Sequence, residues 1–253
     1  GYTMMENGFL KSIGMWSKEY ASLVKTITFS NDLSILPDEC NQFNKCFDIS
    51  ADNSKYPVYN YLVKNGNYYD AYIISMEEIY APNNSTYLFC LKGYEKNSRI
   101  IFSSLESINF NNMFNTSKVR IMNSMFRFTK VTNLDLSHFD TSHTESFARM
   151  FRDCVKVETL DVSHFQTQRV LHMENMFYGC RSLKYLDLRG FDCSKTVDLS
   201  YMFYGCQALN EVLAEKGPSD RKYCAMMIEL LTGSKKLQRK RKEWGYEKEY
   251  ARD

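Results

Sequence analysis

The chain has 253 residues, 44% hydrophobic, 25% charged and 15% aromatic, with four prolines and eleven glycines. This composition excludes a disordered or linker-rich chain and allows a sizeable buried core in one large or two small domains. The formal charge of +2 divides unevenly: from Ala214 onward 11 Lys/Arg face 7 Asp/Glu, and neither part is biased enough to name a partner.

In chain order, residues 1–22 read as partly helical and loosely attached. The opening "GYTMMENGFLKSIGMW" lacks the long apolar core and small-residue cleavage site of a signal peptide. Either the protein is cytosolic or a leader lies outside this chain. Val24–Phe29 alternates like a strand. Tyr56–Val63 and Tyr68–Ile74 read as a hairpin, with Asn65-Gly66 suited to a type I′ turn. No apolar run reaches the length of a membrane span.

From about residue 101 the sequence repeats. Phe126, Phe151, Phe177 and Phe203 are spaced by 25, 26 and 26, each preceded by Met and followed three residues later by Thr129, Cys154, Cys180 or Cys206. A second column reads Leu105, Val131, Val157, Leu183 and Leu209, opening "LESINF", "VTNLDL", "VETLDV" and "LKYLDL". "TLDV" and "YLDL" alternate apolar with polar residues, which predicts short strands. Val170, Met173, Phe177 and Cys180 are spaced by 3, 4 and 3, which predicts a helical stripe. One strand and one helical segment per repeat would stack into an α/β solenoid, a leucine-rich-repeat array of about 26 residues per rung with parallel strands. The expected organisation is an N-terminal cap containing the β-hairpin (1–100), the repeats (101–213), and a C-terminal helical cap with a basic tail (214–253). Cys154, Cys180 and Cys206 are then buried ladder thiols rather than zinc ligands. The spacing of Cys40 and Cys46 allows a disulfide without requiring one.

"MFYGCRSLKYLDLRGFDCS" and "LDLSHFDTS", with "LVKTITFSND", "NSTYLFCL" and the hairpin upstream, resemble the BspA-like leucine-rich-repeat surface proteins over about residues 20–213. The resemblance implies a non-enzymatic adhesion module on a bacterial surface, hence an extracellular setting.

Function is expected where the repeats align their chemistry. Asp135, Asp161 and Asp187 fall in one exposed column, flanked by Asn133, Thr159 and Tyr185 on one side and Ser137, Ser163 and Arg189 on the other. This row is the candidate binding face, for a protein ligand first and a glycan second. Lys118, His143, Arg169 and Lys195 form a basic column. His138 and His164 are copies of one position rather than an acid–base pair, and stacked thiols do not supply the base and orienting group that nucleophilic catalysis needs. The reading is therefore no enzyme, no metal and no cofactor. The tail residues Lys235, Lys236, Arg239, Lys240, Arg241 and Lys242 support an alternative: an intracellular interaction or inhibitor protein, phage-borne or host-directed, whose tail contacts nucleic acid or a nucleoprotein.

Overall fold

The computed structural model describes residues 1–94, 97 and 99–213. Its N-terminal part is built on one mixed sheet. β1 (Val24–Ser30), β2 (Cys46–Asp48), β3 (Tyr59–Asn65) and β4 (Tyr68–Ile74) combine with a later strand, β8 (Ser107–Asn109), in the order β2-β3-β4-β1-β8. β2, β3 and β4 are antiparallel neighbours, whereas β1 is parallel to both β4 and β8. The expected strand and hairpin are present, but the hairpin turn differs. Its loop residues are Gly66 and Asn67, and of these Gly66 has positive φ, +60°. That is the type II′ arrangement, which places glycine first, rather than type I′.

Residues 1–22 are packed, not loosely attached. α1 (Gly8–Lys11) is capped by the Asn7 side chain, which accepts from the Phe9 amide. Met15 and Trp16 are buried, and Trp16 Nε1 donates to the Leu88 carbonyl at 2.7 Å. An indole buried with its N–H satisfied anchors the segment to the chain that precedes the repeats.

The expected α/β leucine-rich solenoid is overturned. Among the described residues α1 is the one α-helix, and none lies in 101–213. Strands shrink to β5 (Ile79–Tyr80), β6 (Gly93–Tyr94), β7 (Ile100–Ile101), β8 (Ser107–Asn109), β9 (Phe114–Asn115), β10 (Tyr185–Asp187) and β11 (Glu211–Leu213), paired as β5 with β9, β6 with β7, and β10 with β11. The segments that carry the 3-4-3 apolar spacing are chains of four-residue turns. Cys154 N bonds Phe151 O, Cys180 N bonds Phe177 O, and Cys206 N bonds Phe203 O, each at 3.1 Å. The third residue of each turn is left-handed: Asp153 at φ 60°, Gly179 at 73° and Gly205 at 75°. Positive φ in third place is the type II turn, and it is incompatible with an α-helix. Two turns in series return the chain to the same side every three or four residues, so they imitate a helical stripe. The glycine of each Tyr-Gly-Cys is there for this backbone.

Successive repeats nevertheless lie on one another. Phe126 N donates to Met150 O, Phe151 N to Met176 O and Phe177 N to Met202 O, at 2.9, 2.9 and 3.0 Å. Isolated parallel bridges join Asn84, Ile121, Ser146, His172 and Asp198 in sequence. Beneath them Phe89, Phe126, Phe151, Phe177 and Phe203 stack with centroids 5.6, 5.7, 5.6 and 5.8 Å apart. Phe89 shows that a degenerate layer precedes the recognisable repeats. Its strand part is β1 and its turn part Ser85–Leu91, separated by the segment that carries β2, β3 and β4. The C-terminal helical cap and the basic-tail residues fall outside the described residues.

Candidate binding surface

The strand column places Asn133, Asp135, Ser137, Thr159, Asp161, Ser163, Tyr185 and Arg189 on the exposed surface, with Asp187 partly covered. Thr159 and Tyr185 bridge in parallel, and Tyr185 and Asp187 continue the pairing to Glu211 and Leu213. The leucines and valines between them point inward; Leu134, Leu136, Leu160, Val162, Leu186 and Leu188 are all buried.

Each aspartate closes a local turn. The Ser137 amide donates to Asp135 Oδ1 at 2.9 Å, and the Ser163 amide and hydroxyl donate to Asp161 Oδ1 at 3.1 and 2.6 Å. Arg189 reaches Asp187 with both Nε and a terminal nitrogen, at 3.0 and 2.8 Å. These bonds hold all three carboxyls below their ordinary value: the Ser137 hydroxyl and amide for Asp135, the same groups of Ser163 for Asp161, and the Arg189 side chain for Asp187. The repulsion that Asp187 exerts on Asp161 is outweighed. The row is thus ionised and fixed, and it is also part of the turn architecture.

The thiol column is internal. Cys154, Cys180 and Cys206 are buried, and each thiol donates to the phenylalanine carbonyl of the preceding layer, at 3.1, 3.0 and 3.0 Å. Thr129 holds the same position in the first repeat and donates to Phe126 O at 2.8 Å. Burial pushes Cys154 and Cys206 up to about 12 and Cys180 well above its ordinary value. Among the described residues no group of three or more His, Cys, Asp or Glu could hold a metal ion. Cys40 and Cys46 form a disulfide that closes a short loop. That loop presents Phe43 with 84% of its surface exposed.

Of the paired histidines, His164 Nε2 contacts the Leu136 carbonyl at 2.9 Å. His138 packs between Phe110 and Phe139, at 4.7 and 5.1 Å, and its buried Nε2 has no partner. The two are not brought together as an acid–base pair. His143, in the basic column, contacts the Ser117 carbonyl through Nδ1 at 2.8 Å.

Two features escaped the sequence reading. One is a threonine column: Thr116, Thr141 and Thr167 each donate to, and accept from, the backbone of the next layer at Asp140, Gln166 and Asp192. The other follows each ladder phenylalanine: Arg127, Arg152, Tyr178 and Tyr204. Both columns could be read from the same alignment of repeats, but without coordinates nothing separates a column that bonds from one that is merely exposed.

No helix among the described residues is long and apolar enough to cross a membrane. The family model for DUF285, described as a Mycoplasma protein of unknown function, matches residues 96–216. The resemblance to the BspA-like leucine-rich-repeat proteins is corrected accordingly: the repeats match a different family, and their turn-built layers lack the helical segments that resemblance implied. No curated protein and no solved structure matches the chain.

Proposed function

We propose that the protein is a non-enzymatic recognition module that binds a protein ligand at the exposed strand column, in adhesion or another surface interaction outside the cell. The observation that carries this reading is the row of Asp135, Asp161 and Asp187, ionised and oriented by local bonds above a buried core. Acceptors fixed in advance lose little entropy on binding and steer a basic partner. The local bonds of Asp135 and Asp161 fall on Oδ1, so Oδ2 remains for a partner. The Cys40–Cys46 disulfide supports an oxidising setting. Changing the three aspartates to Asn is expected to weaken capture of a basic protein ligand and flatten its salt dependence, measured by surface binding with purified chain. Neutralising Lys235, Lys236, Arg239, Lys240, Arg241 and Lys242 should leave that capture unchanged. The reverse outcome would favour the intracellular alternative, as would reduced Cys40 and Cys46 in protein recovered from its own cell.

A further inference from the structure

The turn column carries a second, independent site. Arg127 and Arg152 occupy the same position in adjacent layers, joined by the Phe128 amide donating to the Arg152 carbonyl at 3.0 Å. Their guanidinium groups lie over aromatic rings: Arg127 is 4.5 Å from the Phe128 centroid and Arg152 4.0 Å from that of Tyr178. Both Nε atoms are buried and donate to no acceptor. Asp153 stands 3.5 Å from Arg152 Nε, beyond ordinary hydrogen-bond length. Burial raises the Asp153 carboxyl, and burial with the nearby Arg152 charge lowers the Arg127 guanidinium. Arg152 also donates Nη1 to Asn175 Oδ1 at 3.4 Å, and the Asp153 carboxylate answers only part of the charge of Arg127, Arg152 and Arg181; the positive charge left over, at the terminal guanidinium nitrogens, is what an incoming oxyanion meets.

We propose that Arg127 and Arg152 together receive a sulfate or carboxylate group of an acidic polysaccharide, with the phenols of Tyr178 and Tyr204 extending the site along the column to sugar hydroxyls. Three observations favour a glycan. First, the Tyr178 ring is already engaged by Arg152, 4.0 Å from its centroid, and by Tyr204, stacked at 5.0 Å, which leaves little ring face for a nucleobase. Second, the backbone donors of the column are consumed between layers: Asp153 N reaches Tyr178 O and Gly179 N reaches Tyr204 O, each at 2.7 Å. At these layers a peptide therefore finds no open edge for strand addition. Third, cations and then phenols recur layer by layer in a line, which suits a linear polymer of charged and hydroxylated units.

The test uses the full chain with Lys235, Lys236, Arg239, Lys240, Arg241 and Lys242 changed to Gln in every sample, so that the tail cannot bind polyanions. Calorimetry is run with chondroitin sulfate, dextran, a single-stranded oligodeoxynucleotide and poly-glutamate. Chondroitin sulfate should bind and dextran should not, and Arg127→Gln with Arg152→Gln should weaken binding by about tenfold or more. Inorganic sulfate should raise the melting temperature of the parent but not of the double variant. Undiminished binding by the double variant overturns the site. Tighter binding of the oligonucleotide or poly-glutamate through the two arginines overturns the glycan assignment. If the double variant fails to fold, Arg152→Lys decides: it keeps the charge and loses the planar fork, and undiminished chondroitin sulfate binding by it overturns the proposal.

Discussion

Thiols suit the positions of Cys154, Cys180 and Cys206 because a soft, small side chain fills a crowded column and still donates weakly to a carbonyl. Thr129, at the equivalent position of the first repeat, bonds differently: its hydroxyl donates within its own turn, to Phe126 O. Cys180→Ser should therefore cost about 1–2 kcal/mol in urea unfolding, the residue of a desolvated hydroxyl only partly repaid by Phe151 O. Because burial raises these thiols, to about 12 at Cys154 and Cys206 and well above the ordinary value at Cys180, native protein at neutral pH should resist thiol labelling at all three, and fast labelling would refute their burial. His138 titrates the opposite way from a paired histidine. Burial lowers its folded value below the ordinary imidazole value, with Asp135 and Glu78 opposing and His164 assisting. Its contribution is fully present above about pH 6.5 and is lost as pH falls through the lowered folded value. Melting temperature should fall with acidification over that window, and His138→Phe should flatten the fall.

At the scale of the element, the repeats replace helices by type II turns whose amides feed the neighbouring layer. A helix satisfies its own backbone; these turns leave alternate donors for the next repeat, as at Phe126, Phe151 and Phe177. The layers are therefore coupled through backbone as well as through side chains. The threonine column is the clearest case. The Thr141 hydroxyl donates to Gln166 O at 3.0 Å and accepts from Gln166 N at 2.8 Å. Thr141→Val keeps the volume and strands both backbone groups, so it should cost about 2–3 kcal/mol by urea unfolding. A loss under about 0.5 kcal/mol would mean that water replaces the hydroxyl.

At the scale of the molecule, one hydrophobic cluster runs from Met5 to Val212, and β1 lies between the hairpin strand β4 and the first repeat strand β8. The N-terminal part is thus continuous with the repeats in both core and sheet. Phe89, stacked on Phe126 at 5.6 Å, sits at the join. Phe89→Ala should destabilise by about 3–5 kcal/mol, and in a single transition, because the cavity opens between two parts that share contacts. Residues 101–213 expressed alone should lack a cooperative transition by circular dichroism, since β8 and Phe126 would lose their covered side. A sharp independent transition would show that the join is dispensable.

The repeat period, the buried phenylalanine, methionine and cysteine columns, the first strand and the hairpin were all determined by sequence, because burial imposes its periodicity residue by residue. The aspartate row was legible for the same reason: it is the polar phase of that alternation. Helix against turn was not legible, since a 3-4-3 apolar spacing fits an α-helix and a run of four-residue turns equally well. What separates them is the sign of φ at Asp153, Gly179 and Gly205, and an aspartate among the glycines hides it. The degenerate layer was hidden by the inserted hairpin, which removes any fixed period between β1 and Phe89. The arginine pair was present in the alignment as an unremarkable column. Only the tertiary structure set its guanidinium groups on aromatic faces, with buried nitrogens that meet no acceptor, because unmet hydrogen bonding depends on every group brought near and not on the residue itself.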